Sequence, residues 1–187
     1  MSSWLDVALL AVLIVLNGVF AMSEISLVTS RRARLQRLID DKVAGAERAR
    51  ELNADPNRAL STIQVGITSI GILSGIVGES ALARPMEAFL VMVGLSPETA
   101  KAIGLFVVVV LITYFSIVMG ELVPKRIGRF SPERIACRLA PPIHCLSIIA
   151  APFVKLLSVS TAPAFEAFGA FRKHREFRDG RRDSRHD

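Results

Sequence analysis

Gly120-Glu121-Leu122-Val123-Pro124-Lys125-Arg126 closes an apolar run, Ala102 to Met119, that holds no charged residue. A carboxylate at the end of a membrane helix is costly unless it faces protein, water or a cation. Pro124 has no backbone N–H and disturbs the preceding turn, so carbonyl oxygens come free close to Glu121. A carboxylate beside free carbonyls is the ligand type that a hard cation such as Mg2+ or Na+ takes. The competing reading is a helix stop: a snorkelling Glu121 followed by a basic flank, Lys125 and Arg126.

Composition sets the class around this stretch. The chain has 187 residues, is 51% hydrophobic and carries a net charge of +6. Its apolar runs and its charges are segregated, the pattern of an integral membrane protein with short polar loops. The cations flank the apolar runs, so anionic headgroups of a bilayer are the expected partner. One Trp, one Tyr and no basic patch interleaved with aromatics argue against nucleic acid. Cys137 and Cys145, with His144 between them, match no zinc spacing. No Lys or Arg precedes Arg31, so the first apolar run reads as a retained transmembrane helix rather than a secretory signal.

Residues 4–30 form the first expected span, with Trp4 placed as an interfacial anchor. Asn17, Ala21 and Glu24 share one helical face, and Ser23, Ser26 and Ser30 make a neighbouring polar stripe. Over 31–57 the chain turns basic, and Leu35, Leu38 and Ile39 predict an amphipathic helix at the bilayer surface. Residues 58–80 form the second span. Its Ser61, Gln64, Thr68, Gly71, Gly75 and Gly78 line a single face, and Gly71 with Gly75 makes a GxxxG. Close helix packing explains the glycines; a cation path accounts better for Gln64 and Thr68, which need partners in lipid. Met86 to Leu95 is too short to span and reads as a separate external or interfacial helix. The third span covers 99–120, with Thr113, Ser116 and Gly120 on one side.

Residues 139–163 are apolar but interrupted by Pro141, Pro142 and Pro152. Charge argues against a fourth span there. All cations except Arg84, Lys101 and Lys155 fall in 31–58, in 121–138 or in the tail from Arg172 to Arg185. The positive-inside rule wants these three segments on one side, the cytoplasm. The expected fold is therefore all-α, with three transmembrane helices plus amphipathic and juxtamembrane helices, the N-terminus outside and the C-terminus cytoplasmic. Residues 139–163 become a pair of short helices turning at the prolines. Residues 1–163 form the membrane domain, and 164–187 a basic cytoplasmic tail, disordered or linking to further domains.

The strings Phe20-Ala21-Met22-Ser23-Glu24-Ile25-Ser26-Leu27, Ser61-Thr62-Ile63-Gln64-Val65-Gly66-Ile67-Thr68 and Gly120-Glu121-Leu122-Val123-Pro124-Lys125 resemble the transmembrane domain of the CorC/CNNM family. The resemblance covers roughly residues 5–160. It implies three transmembrane helices with juxtamembrane helices, assembled as a homodimer in the cell membrane. It implies Mg2+ efflux, proposed to be coupled to Na+ entry, with cytosolic CBS domains in most members. By the same resemblance Gly120, Glu121 and Ser23 fall on the family's ion ligands. The family asparagine of the second helix is replaced by Ile67, and Gln64 and Thr68 are the substitute oxygens. Gly71 and Gly75 are the expected packing or dimer contacts. Pro124, Glu24 and Lys125 are structural, with Glu24 a partner for Arg31, Arg32 or the Lys125-Arg126 pair.

A different class of function is a non-transporting dimeric scaffold that anchors cytosolic CBS domains. An intramembrane hydrolase has no support: HExxH, GxSxG and a pair of membrane aspartates are all missing from the sequence, so no enzyme and no organic cofactor are expected.

Overall fold

The computed structural model describes the backbone of residues 3–183 and the side chains of residues 4–57, 59–156 and 159–160. Every element among them is helical: α1 Ser3–Thr29, α2 Arg32–Asp40, α3 Ala46–Ala54, α4 Pro56–Met92, α5 Pro97–Ile117, α6 Val123–Phe130 and α7 Pro132–Asp183, with a π turn over Val118–Leu122 joining α5 to α6. The chain divides into two compact units, residues 1–148 and 149–187. The second unit is a helical segment with Ile149, Phe153, Leu156 and Val159 exposed. The basic tail over 164–187 lies outside the residues whose side chains are described.

Four helical stretches are long and apolar enough to cross a membrane: Trp4–Thr29, Ala59–Met92, Pro97–Phe130 and Pro132–Leu156. The fourth replaces the pair of short helices expected over 139–163. α7 continues through Pro141, Pro142 and Pro152. Each proline removes one ladder bond, yet apolar helices tolerate it where neighbours satisfy the freed carbonyls. The separate helix expected at Met86 to Leu95 is also absent, because α4 runs on through Pro85. Its end comes instead at Gly94, whose φ of 106° is left-handed. There Leu95 N–H donates to Leu90 O and Gly94 N–H to Val91 O, the paired bonds that close a helix C-terminus. Ser96 then caps α5, its Oγ accepting from Thr99 N–H at 3.4 Å, with Pro97 in the first turn.

The basic segment 31–57 forms two helices rather than one, and its apolar face meets protein rather than lipid. Leu35 is fully buried with Leu27, Ala49, Leu52, Ile63, Ala136 and Ala140, and Leu38 and Ile39 pack at the margin. The turn between α2 and α3 is tight. Lys42 sits at φ 55° and Gly45 at φ 80°. Val43 N–H reaches Leu38 O and Lys42 N–H reaches Ile39 O, so Lys42 occupies the left-handed closing position that glycine usually fills. Asn53 of α3 donates through Nδ2 to Leu27 O at 2.8 Å and to Ser30 O at 3.4 Å, satisfying carbonyls at the end of α1. Glu133 of α7 is buried and accepts from Arg31 N–H at 3.3 Å, with Arg34 3.8 Å away. Side-chain bonds from α3 and α7 thus tie the corner where α1 becomes α2.

Candidate cation site

Pro124 decides the local backbone. An ordinary α-turn would send the N–H of residue 124 to the carbonyl of Gly120, and proline has none. The helix answers by widening: Val123 N–H donates to Val118 O, five residues back. The proline expected to break the helix instead sits in the first turn of α6, directly after a π turn. The Gly120 carbonyl accepts from across the bundle, where Asn17 Nδ2 of α1 donates to it at 3.3 Å. Asn17 is 7% exposed, and its Oδ1 is buried without a hydrogen-bond partner.

Close packing of α1 makes this reach possible. A methyl group at Gly18 would lie 2.9 Å from Pro124 Cγ and 3.3 Å from Met119 O. One at Gly120 would lie 3.1 Å from Asn17 Nδ2. At Gly128 it would meet Ile25 and the carbonyl of Met22. Ser26 Oγ donates to Met22 O at 2.6 Å and lies 3.5 Å from Gly128 O. Small residues on both helices let the backbones approach, as membrane helix packing requires. Glu24 pairs with Lys125, Oε2 to Nζ 3.2 Å, both side chains about one-third exposed. Of the cations considered for Glu24 from sequence, the structure selects this one.

The remaining ligand residues are placed unevenly. Glu121 is half-buried on the π turn and, among the described residues, its carboxylate has no hydrogen bond or ion pair. Ser23 is buried, its Oγ donating to Val19 O at 2.7 Å within its own helix. Gln64 and Thr68 are exposed on α4, as are Gly71 and Gly75, whose Cα positions have no neighbour within reach of an added methyl. A single chain therefore joins Gly120 to α1 and leaves the α4 stripe open from Ser61 to Gly75, while Gly78 at its end packs against Ile112 of α5. No group of three or more His, Cys, Asp or Glu side chains that could hold a metal ion occurs among the described residues. The oxygen types that the π turn and Asn17 offer are a carboxylate, backbone carbonyls and an amide, which suit a hard cation rather than zinc. Asn17 is the residue whose importance the sequence understated. It was visible only as one polar group on a face shared with Ala21 and Glu24.

Four helical stretches long and apolar enough to cross a membrane, one of them interrupted by a π turn packed on α1, define an integral membrane protein. A family model described as the cyclin M transmembrane N-terminal domain matches residues 8–179, and the chain belongs to that family, CNNM. The chain is 43% identical over 165 residues to UPF0053 protein sll0260 of Synechocystis, covering 88% of this chain and 37% of that protein. It is 32% identical over 161 residues to UPF0053 protein YhdT of Bacillus subtilis, covering 86% and 35%. It is 30% identical over 156 residues to a polyamine export protein of Salmonella typhimurium, covering 83% and 35%. The chain spans about a third of the length of these relatives.

Proposed function

We propose that this chain is the membrane domain of a cation transporter, with Mg2+ efflux coupled to Na+ entry as the leading reading. The observation that carries it is the unpaired, buried Oδ1 of Asn17, whose Nδ2 donates to the carbonyl of Gly120, the residue that precedes Glu121 in the π turn. A buried oxygen without a donor is costly, and a cation is the partner that would repay several such oxygens together. In this reading Glu121 supplies the charge. Gly120, Asn17 and Ser23 supply or position neutral oxygens, and Gln64 and Thr68 join from α4. The protein acts as a homodimer in the cell membrane, with α1, α4 and α5 as its complete spans, α7 not crossing although it is long and apolar enough to do so, and a cytoplasmic C-terminus. A label on Asp187 that reacts from outside intact cells would remove that topology.

A second reading is export of an organic polycation, supported by relatives named polyamine export protein at 30% and 31% identity. Ammonium groups also take carboxylate and carbonyl oxygens. The third is the non-transporting scaffold. One experiment separates the three: thermal unfolding in detergent with MgCl2, NaCl, CaCl2 or spermidine at matched ionic strength, for the parent and Glu121→Gln. Selective Mg2+ stabilisation that the variant lacks is the expected result. At a hundredfold excess over Kd it amounts to about 2.7 kcal/mol. A spermidine-selective shift moves the assignment to polyamines. An equal response in parent and variant leaves only the scaffold.

A further inference from the structure

The end of the bundle that carries Arg31 to Arg37 holds a second feature. A cavity of about 360 Å³ is lined by Arg34, Arg37 and Arg134, with Phe130 at its edge. A neighbouring cavity of about 600 Å³ is lined by Arg134 and Arg138. The two share Leu38, Asp41 and Arg134, so they form one groove between α2 and the start of α7.

The charges in the groove are unbalanced. Glu133 is engaged by Arg34 and by the Arg31 N–H. Arg37, Arg134 and Arg138 are exposed, and among the described residues none has an ion-pair partner. Asp41 is the one other carboxylate in the lining. Three uncommitted guanidinium groups against one carboxylate favour an anion, and the planar guanidinium fork suits phosphate oxygens.

The surroundings say which phosphate. On α6, Val123, Ile127 and Phe130 are exposed along one side, Phe130 at 84%. Their spacing of four and three makes a continuous apolar stripe that ends at the groove. An uncovered apolar stripe on a membrane helix belongs in acyl chains, which puts the groove at headgroup depth. We propose that this groove is a binding site for the phosphate of an anionic phospholipid, its acyl chains lying along the Val123–Ile127–Phe130 side of α6. Basic pockets between membrane helices are the sites where anionic headgroups are retained. The inference does not depend on the transport reading.

Native mass spectrometry of the full chain released from mixed micelles tests it. The probes are phosphatidylglycerol, phosphatidylcholine and inorganic phosphate. Phosphatidylglycerol should be retained over phosphatidylcholine, and Arg134→Gln/Arg138→Gln should reduce that retention roughly tenfold. Arg129→Gln removes the same kind of charge from α6 outside the groove and should leave retention near the parent level. Equal loss in Arg129→Gln would reduce the effect to general surface charge and overturn the site. Displacement of the lipid by millimolar inorganic phosphate would make it a free-anion site and overturn the lipid assignment. Should the double variant not fold, Arg37→Gln carries the same test from α2, and undiminished retention there overturns the proposal. No preference between the two lipids in the parent overturns it without any variant.

Discussion

Asn17 connects two events that are far apart in sequence. Pro124 withholds a donor from the Gly120 carbonyl, and Asn17 Nδ2 provides one at 3.3 Å. Its Oδ1 remains buried and unpaired. Removing the amide should therefore have two separable effects. Asn17→Ala leaves the Gly120 carbonyl without its cross-helix donor, a loss of about 1–3 kcal/mol in thermal or denaturant unfolding without divalent cation. It should also weaken any Mg2+-dependent stabilisation, because a ligand oxygen or its positioning is gone. Loss of stability with an unchanged Mg2+ response would confine Asn17 to a structural role. Such a residue is hard to weigh from sequence, since a lone amide in an apolar run is equally a packing contact. The Gly-Glu-Leu-Val-Pro-Lys string marked the turn; the partner across the bundle depended on how α1 rotates against it.

The α2–α3 corner is where element-scale chemistry is most exposed to test. Lys42 holds a left-handed conformation at φ 55°, and its side chain is exposed. Lys42→Gly should raise stability by about 0.5–1 kcal/mol, because only glycine takes this region without a Cβ penalty. Gly45 is the opposite case: it is left-handed and its missing Cβ would collide with the backbone of Cys137. Gly45→Ala should lower stability by roughly 1–3 kcal/mol and separate α3 from α7. Thermal unfolding of both variants beside the parent checks the pair; a loss for Lys42→Gly would contradict the account. These turns also show the reach of sequence reasoning. Apolar runs located α1, α5 and the start of α4 well, since hydropathy over a span is a sum of many small terms, but they ended α4 at residue 80 where it runs on to Met92. The sequence reads Pro124, Pro141, Pro142 and Pro152 as breaks, and the helices continue through them. A single missing ladder bond does not outweigh continuous burial or lipid contact. Real ends came where glycine or an αL residue let the last carbonyls be satisfied, at Lys42 and Gly94.

At the scale of the whole molecule, the face of α4 carrying Ser61, Gln64, Thr68, Gly71 and Gly75 stands open within one chain. Exposed polar groups in lipid call for partners, and small residues permit close approach. A second copy of the chain is the occupant that the proposed homodimer provides. Gly71→Ile/Gly75→Ile should therefore shift the detergent-solubilised protein to monomer in light scattering while leaving its helicity unchanged. A dimer that persists would place the interface elsewhere. The sequence revealed the stripe itself, because its period is regular; it did not reveal that α1 and α5 leave that stripe uncovered. The π turn has a consequence of another kind. It amounts to one surplus residue in the helical ladder, and a surplus residue offsets everything downstream by about 100° in angular phase. The side of α6 that presents Gly128 to α1 and Lys125 to Glu24, and turns Phe130 outward, exists only with that offset in place. Gly120 and Pro124 thus set the rotational phase at which the basic end of α6 meshes with α1.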